Sequence, residues 1–338
     1  MASRSQPDSR PVSRPFNARM VAQVCAEQGW RYADLDGGAG YLFAVEDAGR
    51  RVLSGSGAVC AYPTNPASAY SIARDKAFTH AALVAAGLPS IPTELVFLES
   101  ARRHLRAPGR EGEDLLARAD RMNFPLFVKP NRGAHGDFAE TVADRAALAD
   151  YLGRVARRHD QIVVQPVIDA PEYRVLVVGG QARFQYRKAE GGLAGAADES
   201  WQAVFERLNT DLKREALSPI PHGQFVAALE HAGRRAEAIS GDGAWLELPG
   251  RRNLATGGHP VDFRVEAEAE PAQLAIAATA ALGLDVAGVD LFWSKGNPPR
   301  VLEVNANPSF ASLEKLGQTA LARQIWTDIL AAALGSAG

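Results

Sequence analysis

The stretch Ala287-Gly-Val-Asp-Leu-Phe-Trp293, followed past Lys295-Gly-Asn-Pro298 by Arg300-Val-Leu-Glu-Val-Asn305, decides how the rest of the chain is read. Two apolar runs around a four-residue turn predict a β-hairpin. Pairing Ser294 with Pro299 across that turn sets Asp290 directly opposite Glu303. Asn305, two residues further on, shares the face of Glu303. Directly opposed acids repel, and the arrangement becomes favourable with a divalent cation between them. Two carboxylates and an amide oxygen suit Mg²⁺, which takes a few carboxylates and completes its octahedron with water and substrate phosphates. The competing reading is the solvated face of an edge hairpin. Val289, Leu291, Phe292, Val301, Leu302 and Val304 flank the acids, so at least one face of the hairpin is buried, which favours a functional acid cluster.

Upstream, Pro125-Leu-Phe-Val-Lys129 reads as a buried strand. It runs into Pro130-Asn-Arg-Gly-Ala-His-Gly136, a glycine loop. Glycines let backbone N–H groups approach phosphate oxygens, and a lysine supplies a mobile charge for a phosphate chain. The spacing is neither a Walker P-loop nor a Rossmann fingerprint, and an ordinary strand-to-turn junction fits these residues as well. Lys76, in Ser71-Ile-Ala-Arg-Asp-Lys76, reads alone as a helix-surface lysine. Gln165-Pro-Val-Ile-Asp-Ala-Pro-Glu-Tyr-Arg174 is a strand, a short turn and a second strand. Glu172 and Arg174 share a face there, either in a site or as a surface ion pair. Arg187 is open in the same way.

Hydrophobic periodicity predicts helices over 19–28, 69–86, 143–157, 201–216, 225–232 and 268–282, with a closing helix from about 321. Strands are expected at 41–45, 51–53, 94–98, 162–165 and 173–178. Another, 181–188, is folded back across Gly179-Gly180, a two-residue hairpin signal. Helices alternating with strands indicate an α+β (mixed α/β) protein in two or more lobes.

The 338 residues carry a net charge of −2, which argues against a dedicated nucleic-acid binder. Two cysteines, Cys25 and Cys60, exclude a disulfide scaffold and a cysteine-rich zinc site. No apolar run approaches the roughly 18 residues needed to cross a bilayer. The first 19 residues hold Arg4, Arg10, Arg14 and Arg19 among Ser and Pro without a hydrophobic segment. They read as a disordered tail rather than a secretory signal, with an organelle-targeting segment as the alternative, and the expected location is cytoplasmic.

Five pieces occur in order: Asp75-Lys76; Phe124-Pro-Leu-Phe-Val-Lys129-Pro130 with its glycine loop; Val163-Val-Gln165-Pro-Val167 with Glu172-Tyr-Arg174-Val175; Arg251-Arg-Asn253-Leu-Ala-Thr-Gly-Gly258; and Gly288-Val-Asp290-Leu291 with Glu303-Val-Asn305. Over about residues 64–310 this order resembles the ATP-grasp superfamily of carboxylate–amine ligases. It is most similar to the branch of cyanophycin synthetase and the bifunctional glutathione synthases.

The resemblance implies an ATP-grasp fold of two α+β lobes gripping ATP. Its parts would be a tail over 1–19, a small N-terminal region over 20–63, a lid subdomain over 64–165 and a C-terminal subdomain with the metal site over 166–338. Lys76 and Lys129 would bind nucleotide phosphates beneath a loop running from Gly133 to Gly136. Gln165, Pro166 and Val167 would hold adenine, mostly through backbone groups, and Glu172 the ribose. Asp290, Glu303 and Asn305 would hold Mg²⁺, or Mn²⁺ in its place. Arg174 and Asn253 would face the γ-phosphate and an acyl phosphate, with Arg187 as a further partner. The cofactors implied are ATP and Mg²⁺. The substrates implied are a small-molecule carboxylate and an amine, amino-acid-like, with no nucleic-acid or membrane partner and a homodimer allowed. The implied activity is an ADP-forming amide-bond ligase. A phosphotransferase or a non-catalytic ATP-binding module on the same fold fits the same motifs.

Overall fold

A computed structural model describes residues 14–57, 59–133, 136–214, 219–248 and 259–335. In chain order the elements are α1 (Phe16–Gln28), β1 (Arg31–Asp34), β2 (Leu42–Asp47), β3 (Arg50–Gly55), α2 (Ala67–Ala73), α3 (Lys76–Ala85), β4 (Glu94–Phe97), α4 (Gly112–Arg118), β5 (Leu126–Pro130), β6 (Glu140–Val142), α5 (Arg145–Val155), β7 (Gln161–Pro166), β8 (Glu172–Val178), β9 (Gln181–Ala189) and β10 (Gly192–Ala194). There follow α6 (Trp201–Arg214), α7 (His222–His231), β11 (Trp245–Glu247), β12 (His259–Arg264), α8 (Ala269–Ala281), β13 (Val286–Phe292), β14 (Arg300–Asn305), α9 (Ser312–Lys315) and α10 (Thr319–Leu334). The α+β class expected from the sequence is the one observed.

One expected helix is two. The apolar period over 69–86 continues through Asp75, but Asp75 is extended (φ −106°, ψ 108°) and its carboxylate accepts from the Phe78 N–H. A buried aspartate that caps a new helix satisfies donors that a through-running helix would not expose, so α2 ends and α3 begins. The short strands β1, β6, β10, β11 and β12 are additions to the expected set. Most are three or four residues long, too short to show a period.

The chain forms two compact units, each discontinuous in sequence. The first comprises Met1–Tyr70, Gly283–Ala287 and Ala306–Gly338. Here β1, β2 and β3 make an antiparallel sheet backed by α1 and α10. Tyr62 stacks on Trp326 with ring centroids 5.4 Å apart, and Phe16 meets Phe310 edge-on at 5.8 Å. Asn65 binds this unit's segments together. Its amide donates to the Val286 and Ala306 carbonyls and accepts from the Asp285 and Val286 N–H groups.

The second unit, Ser71–Leu282 with Gly288–Asn305, holds two larger sheets and a smaller two-stranded layer. An antiparallel sheet in the order β4-β7-β5-β6 packs Val96, Val128, Ile162 and Val164 against Leu115 of α4 and Leu148, Tyr151 and Val155 of α5. A five-stranded sheet runs β12-β9-β8-β13-β14, with α8 packed against β8, β9 and β14. A smaller layer joins the antiparallel β10–β11 pair to α6 and α7 around Trp201, Phe205 and Phe225. Gly179 and Gly180 make the β8–β9 turn with φ of +57° and +72°, the left-handed pair that a two-residue hairpin needs. Among the described residues, no helix is long and apolar enough to cross a membrane.

Candidate active site

The site lies within the second unit and is built outward from Asp290. In the β13–β14 ladder Asp290 pairs with Glu303 and Gly288 with Asn305, the pairing expected from the turn. Nearer the turn the register differs by one residue: Leu291 pairs with Val301 and Phe292 with Arg300. A bulge at Leu302 absorbs the difference and brings the two acids face to face.

Asp290 is fully buried. Arg174 grips it through two parallel bonds, Nε to Oδ1 and Nη2 to Oδ2, each 2.7 Å. Lys188 Nζ reaches Oδ2 at 2.7 Å and also donates to Glu172. Burial opposes the charge on Arg174. The Asp290 carboxylate outweighs it and holds the guanidinium well above its ordinary value. Burial likewise works against the Lys188 ammonium, and Asp290 and Glu172 together raise it.

The second sheet contributes Lys129, on β5, whose Nζ lies 3.5 Å from Glu303 Oε2. Glu303 is half-buried. Desolvation favours its neutral form, but Lys129, Lys76, Lys188 and Arg174 outweigh it and hold the carboxyl well below the usual range. Lys76 opens α3, and its ammonium faces the Asn131 and Gly133 carbonyls at 3.5 and 3.3 Å. Burial pushes its pKa down. Asn131 ties the base of the glycine loop to α3, accepting from Ala77 N–H at Oδ1 and from Lys76 N–H at its carbonyl. Gly133 and Gly136 flank residues outside the described set, and Gly136 has φ +74°.

The remaining expected positions are spread more widely. Gln165 is buried and donates to Thr93 Oγ1 at 2.8 Å, leaving its own side-chain oxygen without a partner. Pro166 and Val167 are exposed at the end of β7. Glu172 is engaged by Lys188 and lines a cavity of about 320 Å³ with Asp169, Lys188, Glu190 and Glu247. Arg187 points to the sheet face opposite Arg174 and pairs with Asp262 at 2.8 Å, so the structure does not bring it to the cluster. Asn253 lies outside the described residues. Lys188 is the residue that sequence reasoning missed.

Among the described residues, Lys76, Lys129, Arg174 and Lys188 all act on Glu303, and Arg174 and Lys188 bind Asp290, so four cations face the opposed pair, while Glu172 shares Lys188 and Asp75 acts on Lys76. Among the same residues no group of three His, Cys, Asp or Glu side chains converges as a metal site. The set here is two carboxylates and an amide, all oxygen donors, which fits a hard cation that brings its own phosphate ligands.

A family model described as a RimK-like ATP-grasp domain matches residues 237–329, a span that includes Asp290, Glu303 and Asn305. Cyanophycin synthetase of Nostoc sp. (strain PCC 7120) is 26% identical over 254 residues, covering 71% of this chain and 27% of that protein. The glutathione biosynthesis bifunctional protein GshAB of Mannheimia succiniciproducens is 24% identical over 255 residues, covering 70% and 32%. The chain thus spans about a third or less of the length of these relatives. The crystal structure of a bifunctional glutathione synthetase from Pasteurella multocida superposes with TM-score 0.59 at 18% identity, covering 96% of this chain and 44% of the other. A D-alanine–D-alanine ligase from Bacillus anthracis does so with TM-score 0.50 at 15% identity, covering 81% and 72%. Residues 237–329 thus match a RimK-like ATP-grasp domain, the fold is similar to those of the two solved ligases, and over most of its length the chain is similar to cyanophycin synthetase and GshAB.

Proposed function

We propose that this protein is an ADP-forming ligase. It would activate a carboxylate as an acyl phosphate and join it to an amine, with amino-acid or peptide character on at least one side. The observation that carries this reading is the set of four cations facing the Asp290–Glu303 pair. A carboxylate is a poor electrophile and ATP is strongly anionic, so the two meet only where fixed cations offset their repulsion. Asp290, Glu303 and Asn305 would hold Mg²⁺, which when bound neutralises phosphate oxygens. Lys129 and Lys76 reach the same place from β5 and α3 and would bind the phosphate chain. Arg174 and Lys188 would hold charge on the transferring phosphoryl group. Glu172, at the edge of the cavity, would orient the ribose. Catalysis of this kind is positioning and electrostatics, and no side-chain nucleophile is required.

Incubation with ATP, Mg²⁺ and a library of amino acids and short peptides tests the proposal. ADP and free phosphate should form only when both an acid and an amine are present. AMP with pyrophosphate would exclude the route. A stable phosphorylated product without free phosphate would point to phosphotransfer instead.

A further inference from the structure

Gln165 is 2% exposed, and its side-chain oxygen faces no donor. A buried acceptor without a partner costs stability, and an apolar side chain of similar shape would avoid that cost. The neighbours fix which end of the amide is left over. Nε2 donates to Thr93 Oγ1 at 2.8 Å. A hydroxyl has one proton to give, and Thr93 gives it to the Ile91 carbonyl at 2.8 Å. Towards Gln165 the Thr93 oxygen can therefore only accept. Turning the amide over would set Oε1 against the lone pairs of Oγ1, so Oε1 is held away from Thr93 and kept free.

The amide stands on the face that carries the phosphate-type lysine. Strands β5 and β7 pair Phe127 with Gln165 and Lys129 with Val163. Paired residues share a face, as do residues two apart along a strand. Gln165 and Lys129 are therefore on one face of the sheet, and Lys129 reaches Glu303 from it. Thr93 immediately precedes β4, the strand beside β7 in the same sheet.

We propose that Thr93 is a positioning residue that sets the base preference of the nucleotide site. By holding Gln165 with its acceptor free, it favours a purine bearing an amino group at C6, which donates to Oε1. An oxo group at C6 would set acceptor against acceptor in a place closed to water. The inference rests on reading this face as the Mg-nucleotide site.

Calorimetric binding of three β,γ-methylene triphosphates with Mg²⁺ tests it: those of adenosine, of purine riboside, which lacks the amino group, and of guanosine. Wild type should bind the adenosine compound about tenfold more tightly than the purine riboside compound, the scale of one buried hydrogen bond, and the guanosine compound more weakly still. Thr93→Val keeps the shape of the side chain and frees the amide to turn. The preference for adenosine over guanosine should then fall about tenfold, while Thr93→Ser retains it. In a Gln165→Leu background Thr93→Val should leave the preference unchanged. Thr93→Ala gives the same reading should Thr93→Val not fold. An unchanged preference in these variants overturns the inference. So does a loss of affinity for all three compounds by one common factor, which would mark Thr93 as a structural group. Wild type that binds the three compounds equally overturns it while leaving the nucleotide site in place. Wild type that binds none of them overturns the reading of the site and the inference with it.

Discussion

Lys188 Nζ lies 2.7 Å from Asp290 Oδ2 although strand β8 separates their two strands. The lysine crosses the sheet face to reach it and binds Glu172 as well. Both carboxylates are buried, so removing the shared cation leaves Glu172 without its ion-pair partner and Asp290 with Arg174 alone. Breaking a buried pair from one side costs about 3–5 kcal/mol. Lys188→Met should therefore lower the free energy of unfolding by an amount in that range, while Lys188→Arg recovers much of it. Urea titration of both variants reads the difference. Coincident midpoints for wild type and Lys188→Met would contradict the pairing.

Glu303 makes stability depend on acid. Desolvation raises its pKa, but Lys129 and Lys76 lead the cations that outweigh it, so its folded value lies below the ordinary 4.5. A depressed carboxyl contributes stability that is fully present above its unfolded value. That contribution drains away as pH falls through the folded value. Wild type should thus lose stability steadily below about pH 4.5. Glu303→Gln should be less stable at pH 7 and show a shallower decline across that acid range. Unfolding midpoints in urea at a series of pH values give both slopes, and parallel slopes would mean that Glu303 has no part in the acid sensitivity.

The four cations also set the order of binding. Asp290 and Glu303 are already answered by Arg174, Lys188 and Lys129, so Mg²⁺ alone gains little by approaching them. A polyphosphate meets these cations directly and can bring the metal with it. Calorimetry should show weak binding of free Mg²⁺ and much tighter binding of the Mg-nucleotide. Lys129→Ala should move the two in opposite directions. Nucleotide affinity should fall about tenfold or more, the scale of a charge-assisted contact, while free Mg²⁺ affinity rises because Glu303 has lost its nearest cation. Both affinities falling together would argue for a folding defect rather than an electrostatic one.

The pairing of Asp290 with Glu303 was legible in the sequence because a short hairpin fixes register by counting alone. Lys188 was not, and the reason is one residue. Counting back from the Gly179-Gly180 turn, where Val178 pairs with Gln181, puts Arg187 on the face of Arg174. A bulge between Leu176/Phe184 and Val177/Ala182 inserts a residue on β9 and exchanges the faces, so Tyr186 and Lys188 turn inward and Arg187 outward to Asp262. A single-residue slip moves every later side chain to the other side of a sheet, and the sequence carries no clear mark of where it occurs. In β13–β14 a bulge at Leu302 has the opposite effect and preserves the expected pair. The lysines on β5 and α3 were legible as charges, but their convergence on Glu303 depends on how two sheets pack, which no local pattern encodes.

Asp75 tests whether the break between α2 and α3 has consequences at the site. Its Oδ1 accepts from the Phe78 N–H at 3.0 Å, and its Oδ2 accepts from Arg132 Nε at 3.1 Å. Lys76 is the first residue of the helix that this cap begins, and its backbone N–H holds the Asn131 carbonyl. Asp75→Ala removes cap and ion pair together and should cost about 1–2 kcal/mol. It should also weaken nucleotide binding, because Lys76 loses the helix end that places it. Asp75→Asn keeps the capping oxygen and loses only the charge facing Arg132, whose side chain is 64% exposed. Asp75 is itself buried, but water screens the exposed guanidinium, so Asp75→Asn should cost less than Asp75→Ala in both measurements. If the Asn variant is as damaged as the Ala variant, the charge on Asp75 matters more than its cap, and the helix end is not what places Lys76.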